Sequence, residues 1–296
     1  MSLFDIAQLS PSEIINLLDL AEEMKKKPVG PLYQGRTIVP MFFEPSTRTR
    51  VSFDLAASRL GADVVVFDHH NSSSAKGETL RDTARTVGAM EPDLLIVRHE
   101  SAGAPEAVAR WSGRPVVNAG DGRRAHPTQT LADLLTIRDH FGGFADLRVG
   151  MVGDIVNSRV ARGLLSCLPA FGVSVVAVGP TTFIPEDGVW ETEVSSDLDS
   201  VLGELDIVYL LRVQKERGGG LGYPSDAEYH KRFGLSDIRA DQLKPGCVVM
   251  HPGPMNRGVE ISNSLADGER SLILTQVAAG VHVRMAVMAR ILDGAT

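Results

Sequence analysis

Residues 42–50 read FFEPSTRTR: three hydroxyls and two guanidinium groups directly behind an apolar, strand-like run. Pro45-Ser46-Thr47 then leads into a helical pattern, which puts Ser46 or Thr47 at the N-cap. The start of a helix presents backbone N–H groups at the positive end of its dipole. Hydroxyls and an arginine added there make a seat for a phosphate. An ordinary cap carries acids in its first turn, whereas this one carries Arg48 and Arg50, which the dipole disfavours. The misfit argues for a bound anion. Residues two apart on a helix diverge by roughly 200°, so only one arginine can face it. Arg48, nearer the terminus, is assigned to the anion and Arg50 to a structural ion pair.

Similar polar segments recur behind other apolar runs. Arg98-His99 closes one run, and GDGRRAHPTQT (120–130) follows the next. GDIVNSR (153–159), RVQKER (212–217) and HPGPMNR (251–257) do the same further along. Arg98 and His99 close a strand and so point to opposite faces. His126 stands before Pro127 at a strand-to-helix turn, with Gln129 in the first helical turn. In HPGPMNR, prolines flank Gly253; proline has no N–H, so the turn offers carbonyls. Those of Pro252 and Gly253 suit an amino group. By composition NSSSAKGE (71–78) reads as a flexible loop and KERGGGLGYP (215–224), with four glycines, as a mobile one. His69 and His70 read as solvated, with no acidic or cysteine partner that makes them a metal site, so none is expected. VGMVGDIVNSR (149–159) lacks G-x-G-x-x-G and a matching acid, which argues against a dinucleotide site.

Strands and helices must alternate to place these segments. Continuous apolar runs mark strands at 36–43, 62–67, 93–99 and 115–120, then at 147–154, 173–180, 206–211 and 247–253. Unbroken runs of this kind suit strands buried on both faces of a parallel sheet. Helical patterns intervene; in 48–61, Phe53, Ala56, Ala57 and Leu60 share a face and Gly61 ends it. The expectation is an α/β chain of two domains, each a mainly parallel four-stranded sheet flanked by helices. The active site is expected in the cleft between them, because open α/β sheets bind ligands beyond the carboxyl ends of their strands. The domains are expected over 1–127 plus a C-terminal helix at about 277–296, and over 128–276, with a helix at 127–143 linking them.

The 296 residues suffice for two cores. A net charge of -7 excludes a global basic field for nucleic acid. Cys167 and Cys247 form no ligand spacing and read as buried thiols. No basic segment followed by an apolar run opens the chain, and no run is long enough to span a bilayer. A soluble, cytoplasmic protein with no membrane partner is expected.

F-x-E-x-S-T-R-T resembles the carbamoyl-phosphate signature of the aspartate and ornithine carbamoyltransferases. SSSAKGET (72–79), VRH (97–99), HPTQTLAD (126–133), RVQKER and HPGP (251–254) follow in that family's order along the whole chain. RVQKER and HPGP look like the aspartate branch; the Ser-Met-Gly segment and His-Cys-Leu-Pro turn of the ornithine branch are absent. Arg159 and Arg212 can each offer a planar fork to a carboxylate, and Arg212 would repel ornithine's ammonium. The resemblance implies transfer of a carbamoyl group from carbamoyl phosphate to L-aspartate, the committed step of pyrimidine biosynthesis, with no metal or organic cofactor. It implies that Ser46, Thr47, Arg48, Thr49 and Arg98 hold the phosphate, while Thr49, Arg98 and His126 polarise the carbonyl. Gln129 would meet the amide nitrogen, and the carbonyls of Pro252 and Gly253 the attacking amine. Arg98 as the substrate residue leaves His99 behind it. Aspartate would be held by Arg159, Arg212, Gln214 and Lys76, with the 215–224 loop closing over it. Lys76 and a serine, matched to Ser72 with Ser73 and Ser74 adjacent, would enter a neighbouring subunit's site in a homotrimer, and regulatory chains or dihydroorotase could add a higher assembly. The alternatives are a carbamoyltransferase for another amine such as ornithine, or a non-catalytic homologue scaffolding dihydroorotase.

Overall fold

The computed structural model describes residues 1–27, 30–67, 77–184, 190, 192–213 and 225–294. His69, His70, Ser72, Ser73, Ser74, Lys76, Gln214 and the 215–224 segment lie outside the described residues. The chain divides into two units, Met1–Leu135 with Val277–Thr296, and Thr136–Gln276. The division falls inside a helix, α5 (Pro127–Phe141), rather than at its first residue as expected from the sequence.

In the first unit, β1 (Thr37–Phe42), β2 (Asp63–Val64), β3 (Leu94–His99) and β4 (Val116–Asp121) form one sheet in the order β2-β1-β3-β4. All pairings are parallel. α1 (Pro11–Lys26), α2 (Thr47–Arg59), α3 (Leu80–Ala89) and α4 (Ala104–Ser112) connect or precede these strands. Val39, Met41, Leu95, Val97 and Val116 of the sheet pack with Ala84 and Val108 of the helices. The strand expected over 62–67 is shorter than its hydropathy suggests. Val65 N–H donates to the Ile38 carbonyl at 3.0 Å. In a parallel ladder the next rung would need an N–H from residue 40, which is proline. β2 therefore stops at Val64, and Val65 and Val66 are exposed.

The second unit contains β5 (Arg148–Val152), β6 (Ser174–Val178), β7 (Glu193–Ser195), β8 (Ile207–Leu210) and β9 (Val248–Met250), in the order β7-β6-β5-β8-β9 and again all parallel. This sheet has five strands, not the four expected. β7 is a three-residue polar edge strand, and its half-solvated sequence carries no apolar run to announce it. α6 (Arg159–Cys167), α7 (Asp226–Phe233), α8 (Asp237–Ala240) and α9 (Asn263–Ala266) complete this unit. α10 (Ile273–Asp293) begins here, and from Val277 onward belongs to the first unit. Its core centres on Val176, Leu202, Leu205, Val208, Leu235, Val249 and Ile261.

Each strand order reverses once, between β1 and β3 and between β5 and β8. At such switch points the connections leave in opposite directions and open a crevice at the strands' carboxyl ends. The segments after β1 and β3 are EPSTRT and the one beginning at Arg98; those after β5 and β8 contain Arg159 and Arg212. No helix among the described residues is long and apolar enough to cross a membrane.

Candidate active site

α2 starts with Ser46 at the N-cap, in extended conformation (φ -161°, ψ 91°), but its side chain makes no capping hydrogen bond. The serine and threonine N-caps of α1, α3, α6 and α7 each accept from a backbone N–H of their own first turn. The expectation that the Ser46 or Thr47 hydroxyl caps this helix is thus corrected in part. Ser46 holds the position, and its hydroxyl stays outside the helix's own hydrogen bonding, as a seat for an exogenous anion requires. The two arginines separate as their spacing demands. Arg48 is exposed. Arg50 is half-buried, 3.3 Å from the Asp54 carboxylate one turn on, with its guanidinium 5.6 Å from the centre of the Phe42 ring.

Thr49 faces inward and is buried. Its hydroxyl accepts from Arg98 Nη1 at 3.4 Å, and the same nitrogen donates to the Ala119 carbonyl at 3.2 Å. Arg98 Nε lies 2.7 Å from Glu44 Oε1. Three segments thus fix one guanidinium: the end of β1, the first turn of α2 and the end of β4. The β3–β4 register shifts between Val97↔Asn118 and His99↔Asp121, which gives β4 one extra residue opposite Arg98 and brings the Ala119 carbonyl to it. His99, on the opposite face, accepts from Ser101 N–H through Nδ1 and packs on Phe43.

Asp121 shapes the turn before His126. Its carboxylate accepts from Ala125 N–H, Gly103 N–H and Asn118 Nδ2. His126 is buried and its carbonyl accepts the N–H of Gln129 at 2.9 Å, which opens α5. Gln129 Nε2 donates to Asp133 Oδ1 at 2.8 Å. A carboxylate only accepts, so the amide is turned with its NH2 inward and its Oε1 is left to accept from a ligand's N–H. Glu44, Asp121 and Asp133 were not singled out in the sequence. The signal for Glu44 was a lone acid inside a basic segment; Asp121 and Asp133 had none.

In the second unit, Ser158 caps α6 by accepting from Ala161 N–H, and Arg159 is the first helical residue, buried at 8% exposure. Asp154 accepts from both the backbone and the side-chain nitrogens of Asn157, which ties the GDIVN turn ahead of it. Arg212 is half-buried just beyond β8. The next residue, Val213, donates its N–H to Glu260 Oε1 at 2.8 Å. The Glu260 carboxylate also takes Asn256 Nδ2 at 2.7 Å and Asn256 N–H at 2.6 Å. One acid therefore joins the segment carrying Arg212 to the turn carrying Pro252 and Gly253. Burial pushes the Glu260 carboxyl above its usual range, opposed by the N–H groups of Val213 and Asn256. Gly253 N–H donates to His251 Nδ1 at 2.8 Å, and His251 N–H to Gln276. With that N–H taken, carbonyls are what the turn can present. Glu260 also went unremarked in the sequence. Burial raises the Cys247 thiol to about 11, far from thiolate at neutral pH.

Two stability outcomes follow from this geometry. Arg50→Ala should lower stability by about 1 kcal/mol through the lost ion pair and ring contact, more than Arg48→Ala does at its exposed position. Equal losses in both would overturn the division between them. Glu260→Ala leaves buried N–H groups without acceptors and should cost about 2–4 kcal/mol, read as a lower midpoint in urea.

A family model described as the aspartate/ornithine carbamoyltransferase carbamoyl-P binding domain matches residues 1–139, and one described as the Asp/Orn binding domain matches residues 145–291. The aspartate carbamoyltransferase catalytic subunit of Desulforapulum autotrophicum is 46% identical over 298 residues, covering 99% of this chain and 96% of its own length. That of Mycobacterium sp. (strain MCS) is 48% identical over 306 residues, with 99% and 96% covered. Among solved structures, the aspartate transcarbamoylase of Trypanosoma cruzi bound to N-(phosphonacetyl)-L-aspartic acid superposes with a TM-score of 0.90. It is 34% identical, and the match covers 97% of this chain and 94% of that one. The same enzyme with carbamoyl phosphate and aspartate gives a TM-score of 0.89 at 33% identity, covering 97% of this chain and 95% of that one. Matched by both domain models and by full-length relatives, and carrying the ordered strand-end motifs described above, this chain belongs to the aspartate/ornithine carbamoyltransferase family.

Proposed function

We propose that this protein is an aspartate carbamoyltransferase, converting carbamoyl phosphate and L-aspartate to N-carbamoyl-L-aspartate and phosphate. The observation that carries the reading is the Arg98 guanidinium held against Thr49 by Glu44, beside a helix start whose N-cap hydroxyl makes no capping hydrogen bond. In this reading the first unit binds carbamoyl phosphate and the second binds aspartate.

The chemistry is acyl transfer without a covalent enzyme intermediate, and catalysis is positioning plus charge stabilisation. Ser46, Thr47, Arg48 and Thr49 hold the phosphate with Arg98. Thr49, Arg98 and His126 polarise the carbonyl and stabilise the oxyanion that forms on it. Gln129 Oε1 accepts from the carbamoyl amide. The amine of aspartate, oriented by the carbonyls of Pro252 and Gly253, attacks the carbonyl carbon. A C–N bond forms, the bond to the phosphate oxygen breaks, and the departing phosphate takes the amine proton. Arg159, Arg212 and Gln214 clamp the two carboxylates of aspartate, and Lys76 with Ser72 enters from a neighbouring subunit of a homotrimer. Both substrates are soluble anions, which fits a cytoplasmic enzyme.

Turnover with carbamoyl phosphate and aspartate, against ornithine in its place, tests the reaction. Activity on aspartate alone is expected. Preference for ornithine would move the chain to the other branch, and inactivity on both would make it a non-catalytic homologue. Arg212→Ala should lose roughly 2–5 kcal/mol of transition-state stabilisation in kcat/KM for aspartate, because a carboxylate is left unpaired. Wild-type aspartate turnover in that variant would remove Arg212 from the clamp. Mixing inactive Lys76→Ala and inactive Arg48→Ala chains under subunit exchange should restore part of the activity. No recovery would sink the shared site.

A further inference from the structure

Arg284 lies on α10, far along the chain from every segment assigned to substrate, and is buried at 4% exposure. Its guanidinium sits 5.0 Å from the centre of the Phe53 ring, on the buried face of α2. Burial pushes its pKa down to about 10; Asp133 opposes that shift and Arg98 adds to it. It therefore stays a cation at neutral pH and lies within electrostatic reach of both groups. Among the described residues its Nε has no hydrogen-bond partner. All the named neighbours belong to the carbamoyl-phosphate side: Phe53 to the helix that opens at Ser46, Asp133 to the pair that orients Gln129, and Arg98 to the phosphate.

Two features of the fold are unfavourable unless this charge has a use. A buried cation could be replaced by an apolar side chain of similar volume with no loss of stability, and often with a gain. Gly280, one turn earlier inside α10, weakens the helix relative to alanine. A Cβ on Gly280 would collide with Arg284 Nη1, so the glycine makes room for the guanidinium.

We propose that Arg284 is a positioning residue for carbamoyl phosphate. It is a fixed, desolvated positive charge, packed on Phe53 of α2 behind the seat, that attracts Asp133, the partner of Gln129, and holds Arg98 forward on Glu44 and Thr49. This rests on the functional reading given above. In a water-poor interior a unit charge acts across several ångströms with little screening, so its removal is felt at the phosphate without any direct contact.

Three variants test it: Arg284→Met keeps the volume and removes the charge, Arg284→Lys keeps the charge, and Gly280→Ala favours the helix while displacing the guanidinium. Thermal midpoints and separate KM values for carbamoyl phosphate and aspartate are measured for each. Arg284→Met should raise the KM for carbamoyl phosphate about tenfold, the size expected for one lost buried charge, with the aspartate KM nearly unchanged. Arg284→Lys should recover most of that loss, and Gly280→Ala should raise the same KM without lowering the midpoint. A folded Arg284→Met with a normal carbamoyl-phosphate KM overturns the proposal. So does a Gly280→Ala or Arg284→Lys pattern that follows stability alone, which decides the matter should the methionine variant fail to fold. A wild-type chain that does not turn over carbamoyl phosphate and aspartate overturns the functional reading instead.

Discussion

The first unit depends on one guanidinium being held still. Arginine has a long stem, and a free one would lose much conformational entropy on meeting phosphate. Arg98 is oriented in advance by a carboxylate from the end of β1, a hydroxyl from α2 and a carbonyl from β4. The EPSTRT segment that carries both Glu44 and Thr49, Arg98 itself and Ala119 come from three separate stretches of the chain and meet only because β1, β3 and β4 are neighbours in that order. A slip of one residue in any pairing would turn the strand-end side chains to the other face. The register of the sheet and the placement of the Arg98 guanidinium are therefore one constraint.

The second unit solves a related problem with the opposite charge. Arg212 and the HPGP turn must both be placed, and neither belongs to a regular element at the residue that matters. Glu260 ties them together by accepting three bonds from Val213 and Asn256. Those bonds favour its charged form, and burial works against them. A carboxylate kept in the interior at that cost acts as a clamp between two segments. Asp121 does the same ahead of His126, where three donors converge on it.

The carboxylates that position the strand-end arginines and the turns around them were harder to read than the arginines themselves. Cations announce themselves: two arginines at the start of a helix contradict the dipole, and an arginine at a strand's end has no place in a core. An acid such as Asp133 looks like any polar residue on a helix until its partner is seen. Arg284 is the converse case, a cation hidden inside an apolar helix pattern, legible only when Phe53, Asp133 and Arg98 are found around it.

By itself the sequence determined the alternation of strands and helices, the parallel character of the sheets, the order of the strand-end motifs and the divergence of Arg48 from Arg50. All of these depend on local periodicity and on neighbours a few residues away. Only the tertiary structure decided that Glu44 pairs with Arg98, that Asp133 turns Gln129 and that Glu260 joins Val213 to Asn256. The same holds for the early end of β2 opposite Pro40 and for β7 as a fifth strand. Each of these follows from which strand lies beside which and in what register. That outcome is set by packing over the whole unit, and no local stretch of residues encodes it.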